Sequence, residues 1–154
     1  MMYKISIETT ILGRCWLVEK DGFLVHLFLN CRQCPVEATE QQTPLLQEAV
    51  QQLQEYLSGK RKEFSLRLKP SGTVFQQQVW QQLQKIPYGQ RCSYQDIAKA
   101  LGNERAARAV GGANNKNSLP IFIPCHRVVG KTGDLVGFAC GLDIKEKLLD
   151  LEAC

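Results

Sequence analysis

The sequence predicts an α/β (α+β) protein in two parts: a small N-terminal sheet-and-helix domain over residues 1–69 and a mainly helical C-terminal domain over residues 70–154. Three observations carry this reading. Apolar and polar residues alternate through the first third, the period of a half-buried strand. Beyond residue 70 the apolar residues recur at helical spacing. Between the two regimes lies Lys69-Pro70-Ser71-Gly72, a stretch with the composition of a linker.

The elements follow in order. Tyr3-Lys4-Ile5-Ser6-Ile7-Glu8-Thr9 reads as a strand broken by Gly13. Cys15-Trp16-Leu17-Val18 and the run from Phe23 to Leu29 read as two more, joined at Asp21-Gly22, a pair that tolerates the positive φ of a hairpin turn. A polar stretch follows to about residue 42. Thr43-Pro44 then supplies a helix cap with proline in the first turn. Leu46, Ala49, Val50, Leu53 and Leu57 form the apolar face behind it, and Ser58-Gly59 ends the helix. Phe64-Ser65-Leu66-Arg67-Leu68 predicts a short closing strand. In the second part, Phe75, Val79, Leu83 and Ile86 share a helical face that stops at Pro87-Tyr88-Gly89. Ser93 and Asp96 form a capping box opening a helix through Leu101. Gly102-Asn103 turns the chain into a second helix from Glu104 to Val110, which together give a helix-turn-helix layout.

Composition sets bounds. A net charge of +4 with 44% hydrophobic and 22% charged residues is that of a globular chain, not a disordered one. No apolar run reaches the roughly 18–20 residues needed to span a bilayer, and the opening residues lack the apolar centre of a secretory signal. Seven cysteines at positions 15, 31, 34, 92, 125, 140 and 154 are odd in number and irregularly spaced, which argues against a disulfide scaffold. A cytoplasmic protein with free thiols is expected, nuclear in a eukaryote.

Charge is concentrated. From Lys85 to Lys131 there are eight basic residues and two acids, a net +6 that exceeds the whole chain's. A solvated basic face would explain that alone. Its overlap with the helix-turn-helix points instead to phosphate neutralisation. The second helix offers Ala106, Ala107, Ala109, Gly111 and Gly112 around a single long side chain, Arg108. Such a surface suits close approach to a minor groove and insertion of one arginine, rather than reading of major-groove edges. Tight helix packing is the competing explanation for the small residues.

One thiol stands apart. An apolar run, Ile121-Phe122-Ile123, predicts a strand that delivers Cys125 between Pro124 and His126-Arg127. Sulfur attacks as thiolate, and a neighbouring imidazole and guanidinium would raise the ionised fraction. The alternative is a buried inert thiol. Cys31-Arg32-Gln33-Cys34 has metal-site spacing, with only His26 and Cys15 available to complete it, so an incidental pair is the simpler reading and no metal is expected.

Pro124-Cys125-His126-Arg127-Val128 resembles the signature of the O6-alkylguanine-DNA alkyltransferases. The likeness runs colinearly through Phe75-Gln76-Gln77-Gln78-Val79-Trp80, Ile86-Pro87-Tyr88-Gly89, Ser93-Tyr94, Ala106 to Gly111, Asn117, and Lys145 to Glu152. The resemblance implies a ribonuclease-H-like N-terminal layout and a monomer that binds double-stranded DNA carrying O6-alkylguanine. It implies that the alkyl group, from guanine or less readily from thymine O4, passes irreversibly to Cys125 with no cofactor. By the same resemblance His126 would take the thiol proton through a water, Glu152 would orient that imidazole, and Tyr94 would protonate the departing guanine at N3. Arg108 would fill the stack left by the flipped nucleotide. Ala106, Ala107, Ala109, Gly111 and Ser93 would meet the DNA. Asn117 would fix the turn before the thiol, the Cys125 and Val128 carbonyls would hold the guanine amine, and Ala139 and Phe138 would border its O6. Ser118, Val136 and Phe138 depart from the residues common in the family, which bears on substrate range. A sensor that binds alkylated DNA without repairing it is the alternative, and a regulator with a structural cysteine is a third reading.

Overall fold

The computed structural model describes residues 1–131, 133 and 141–153. The chain divides into two compact units, Met1–Ser71 and Gly72–Cys154. Among the described residues, no helix is long and apolar enough to cross a membrane.

The first unit is a four-stranded sheet with one helix. Strands β1 (Met2–Thr9), β2 (Gly13–Lys20), β3 (Phe23–Phe28) and β4 (Thr39–Glu40) lie in the order β3-β2-β1-β4. The first three form an antiparallel meander, and β4 pairs parallel to β1. Asp21 and Gly22 take φ of 53° and 83°, the left-handed pair that a tight hairpin needs. Helix α1 (Pro44–Leu57) is capped as the sequence predicts, with the Thr43 hydroxyl accepting from the Leu46 N–H. Its Leu46, Ala49, Leu53 and Tyr56 are buried, as are Leu17 and Val18 of the central strand.

Two expectations fail here. The segment 64–68 is not a strand. It makes one parallel bridge, Leu68 to Leu24, with backbone bonds at Leu24 N–H to Arg67 O and Lys69 N–H to Leu24 O. The buried Gln52 side chain satisfies the Ser65 backbone and hydroxyl instead, so the segment needs no ladder. In the polar stretch, β4 forms through two residues too few to show an alternating pattern.

The second unit holds α2 (Val74–Leu83), β5 (Cys92–Ser93), α3 (Tyr94–Ala100), α4 (Ala107–Asn115), β6 (Val128–Val129) and α5 (Leu142–Ala153). A capping box of Thr73 with Gln76 starts α2, and the anticipated box of Ser93 with Asp96 starts α3. The second helix of the helix-turn-helix begins as a 3-10 turn, Glu104–Ala106, before becoming α-helical. Buried Trp80 donates its indole N–H to the Ala113 carbonyl at 2.9 Å, which pins α4 to α2.

Replacing that indole removes one of two donors to a buried carbonyl, the other being the Lys116 N–H at 3.1 Å. Trp80→Phe is expected to destabilise the protein by roughly 0.5–1.5 kcal/mol. Urea unfolding followed by circular dichroism measures it, and an unchanged midpoint would remove the indole bond as the anchor of α4.

Candidate active site

The run from Leu119 to Val129 is buried throughout, yet residues 121–123 form part of a loop and not the predicted strand. Ile121 sits at φ 75°, a left-handed conformation that a β-branched residue adopts only at a cost. The loop closes on itself through Ile123 N–H to Leu119 O at 2.9 Å and Cys125 N–H to Ile123 O at 2.7 Å. Its buried backbone groups therefore need partners from outside any ladder. Two asparagines at the end of α4 supply them. Asn117 accepts from the Leu119 N–H at 3.0 Å and donates to the Ile123 carbonyl at 2.9 Å, and Asn114 donates to the Cys125 carbonyl at 3.3 Å. The loop ends in a 3-10 turn, Cys125–Arg127, followed by β6. There Val128 and Val129 pair with Cys92 and Ser93, so the strand after the thiol is tied directly to the start of the Tyr94 helix.

Behind Cys125, one carboxylate organises three donors. Glu152 Oε2 lies 2.6 Å from His126 Nε2. Arg127 grips the same carboxylate twice, Nε to Oε1 at 2.8 Å and Nη2 to Oε2 at 3.0 Å. The Gly89 N–H reaches Oε1 at 3.2 Å, and Gly89 takes φ 81° to present it. Arg127 also donates to the Ile86 carbonyl at 2.7 Å and lies over the Tyr88 ring. The turn 86–89, which the sequence marks only as a helix stop, is thus half of the charge cradle.

Burial sets the protonation states. His126 is fully buried, and desolvation holds its imidazole below the ordinary histidine value despite Glu152. A neutral ring donating from Nε2 leaves Nδ1 as its basic nitrogen. Cys125 is 3% exposed, and burial pushes its thiol up to about 11. This corrects the expectation of a thiol made acidic by its sequence neighbours. Arg127 is committed to Glu152 and Ile86, and the groups that favour the thiolate are the Asn117 side chain, Lys145 and the backbone at Cys125 and Ile121. Burial also raises the Tyr94 phenol, with a contribution from Cys125 nearby, so it rests protonated.

Residues 2–70 match the domain described as 6-O-methylguanine DNA methyltransferase, ribonuclease-like domain, and residues 74–154 match the DNA binding domain of the same name. The chain belongs to the 6-O-methylguanine DNA methyltransferase family. It is 49% identical to the constitutive methylated-DNA–protein-cysteine methyltransferase of Bacillus subtilis strain 168, over 99% of this chain and 96% of that one. A Methanosarcina barkeri protein of the same name is 47% identical over 98% and 97%. Among solved structures, Mycobacterium tuberculosis OGT in complex with DNA superposes with a TM-score of 0.90 at 38% identity, covering 98% of this chain and 92% of that one.

Within this methyltransferase framework the predicted residues separate into groups. Cys125, His126, Glu152, Tyr94, Asn117 and Val128 lie in or against the thiol loop. On α4, Arg108 and Ala109 are exposed and Ala107 and Gly111 are partly so, whereas Ala106 is buried and serves packing. A Cβ added at Gly111 would meet the Tyr94 ring at ordinary contact distance. The Ser93 hydroxyl caps α3, bonding the Asp96 N–H at 3.0 Å. Phe138, Ala139 and Val136 lie outside the described residues. Among the described residues, no three His, Cys, Asp or Glu side chains group together around Cys31 and Cys34. Asn114 and Lys145 were missed as site residues. Asn114 carries no signal in a polar run, but a lysine at an interior position of the α5 pattern could have drawn attention.

Removing the shared carboxylate strands a buried guanidinium. Glu152→Gln is expected to cost roughly 3–5 kcal/mol of stability. Chemical denaturation at neutral pH reads this, and a loss below about 1 kcal/mol would mean that Arg127 is held by Ile86 and Tyr88 alone.

Proposed function

We propose that this chain repairs alkylated DNA directly, moving a methyl group from guanine O6 in duplex DNA to Cys125 in one irreversible turnover. The observation that carries the reading is the thiol held on a hydrogen-bonded loop next to a neutral imidazole paired with a buried carboxylate, with a protonated phenol nearby. That set meets the two needs of the reaction. Sulfur must lose its proton before it attacks carbon, and guanine must gain one as it leaves.

In this mechanism His126 takes the thiol proton at Nδ1 through a water while Glu152 fixes the ring. The sulfur lone pair forms the S–C bond as the C–O6 bond breaks, and Tyr94 donates its proton to guanine N3. The Cys125 and Val128 carbonyls hold the guanine amine, the first shared with Asn114. A base inside a duplex cannot present its O6 substituent to a buried thiol, so the nucleotide must be flipped out. The exposed Arg108 on the small-residue face of α4 takes its place in the stack, with Ala107, Ala109 and Gly111 against the minor groove. The thioether has no return path, so the protein is consumed. A sensor of alkylated DNA would need the DNA face but not the buried relay.

Incubation with excess duplex carrying labelled O6-methylguanine should place one label per chain on Cys125. Cys125→Ser should take none while binding that duplex with nearly unchanged affinity; tight binding by wild type without label would favour the sensor. Arg108→Ala is expected to slow repair in duplex at least about tenfold, a loss of about 1.4 kcal/mol, while transfer from free O6-alkylated guanine stays near wild type. Equal losses on both substrates would take the stacking role from Arg108.

A further inference from the structure

Asn114 keeps one polar atom in reserve. The residue is 2% exposed, and its Nδ2 donates to the Cys125 carbonyl at 3.3 Å. Only the nitrogen of the amide can meet a carbonyl, so the side chain's orientation is settled and Oδ1 points elsewhere. That oxygen is buried and accepts no hydrogen bond among the described residues. A buried acceptor left in this state destabilises the fold, which a leucine of similar size would not do.

Its place on α4 gives the oxygen a use. Gly111 lies one turn before Asn114, on the same face of the helix. A Cβ at Gly111 would stand 3.8 Å from the Tyr94 ring. One face of α4 therefore meets the phenol at one turn and the Cys125 carbonyl at the next. Trp80, bonded to the Ala113 carbonyl at 2.9 Å, holds that second turn in place. Cys125 is itself only 3% exposed, so depth does not separate the amide from a base that reaches the sulfur.

We infer that Asn114 is a specificity-determining residue: its Oδ1 accepts from the C2 amine of the flipped guanine and selects purines that carry that amine. The inference rests on the repair reading above. With guanine N3 against Tyr94, the neighbouring amine falls beside the Cys125 carbonyl, where Oδ1 is the spare acceptor. The Cys125 carbonyl, the Val128 carbonyl and Oδ1 divide the amine's two hydrogens, one of them in a three-centre bond. Nδ2 meanwhile steadies the Cys125 carbonyl, so both ends of one amide attend to the same substrate group. That amine is the donor which marks guanine on its minor-groove edge. An alkylated hypoxanthine has only a C–H there, and an O4-alkylated thymine turns a C2 carbonyl toward the same acceptors and is repelled. A site built to accept from a substrate N–H disfavours analogues without it, because its own polar atoms then stay unpaired.

The test measures second-order rate constants for methyl transfer from two duplexes that differ only in the lesion, O6-methylguanine or O6-methylhypoxanthine. Wild type should prefer the guanine lesion, and Asn114→Leu should shrink the guanine-to-hypoxanthine ratio by about tenfold. Circular dichroism and duplex binding report whether the leucine variant is folded; Asn114→Ala, which removes the same oxygen without adding bulk, replaces it if it is not. A variant slowed on both lesions with the wild-type ratio would overturn the assignment, because a disturbed thiol loop slows every substrate alike. So would a variant as fast and as selective as wild type. Either result leaves the repair reading standing, since wild type still transfers. Wild type that binds both duplexes and takes methyl from neither would sink the repair reading and this assignment with it.

Discussion

A single carboxylate, Glu152, is the constraint on which the active site depends. It accepts from an imidazole, a guanidinium and a backbone N–H, and all three come from segments far from it in sequence. A buried carboxylate in this position is tolerable only because those donors meet it together. The neutral state of His126 follows from the same arrangement. Arg127 compensates the carboxylate's charge, so the imidazole is not obliged to, and burial then keeps it unprotonated.

The thiol loop shows a second consequence of burial. A segment this apolar belongs in the interior, and a strand would be the cheapest way to put it there. The loop instead carries a left-handed Ile121, and its backbone is satisfied by two asparagine side chains. What this achieves is placement. The asparagines project from the end of the helix whose other face bears Arg108, so the thiol is fixed to the element that would touch DNA. The β5–β6 pairing does the same for Tyr94. Cys125, Tyr94 and Arg108, the proposed nucleophile, proton donor and stacking residue, are therefore carried on connected elements, as an oriented transfer would require.

Much of this was legible in the sequence where the signal is local. The hairpin at Asp21-Gly22, the Thr43 cap and the Ser93 box each depend on residues within four positions of one another. The motif around Cys125, with Tyr94, Asn117 and Glu152, carried the family resemblance through residue identity. What failed was conformational inference from hydrophobicity alone. An apolar run says that a segment is buried, not how its backbone groups are paired, and both 64–68 and 121–123 found side-chain partners in place of a ladder.

Alone, the sequence carried two units, their main helices and strands, the candidate cysteine and the family. Only the tertiary structure decided where the cations near the thiol go. Adjacency in the chain nominated Arg127, but the 3-10 turn sends that side chain to Glu152 and Ile86. Lys145, twenty residues away in sequence, is buried on α5, and its charge favours the Cys125 thiolate. Coulomb interaction depends on distance through space and on the loss of water between the charges, and neither quantity is written in chain order.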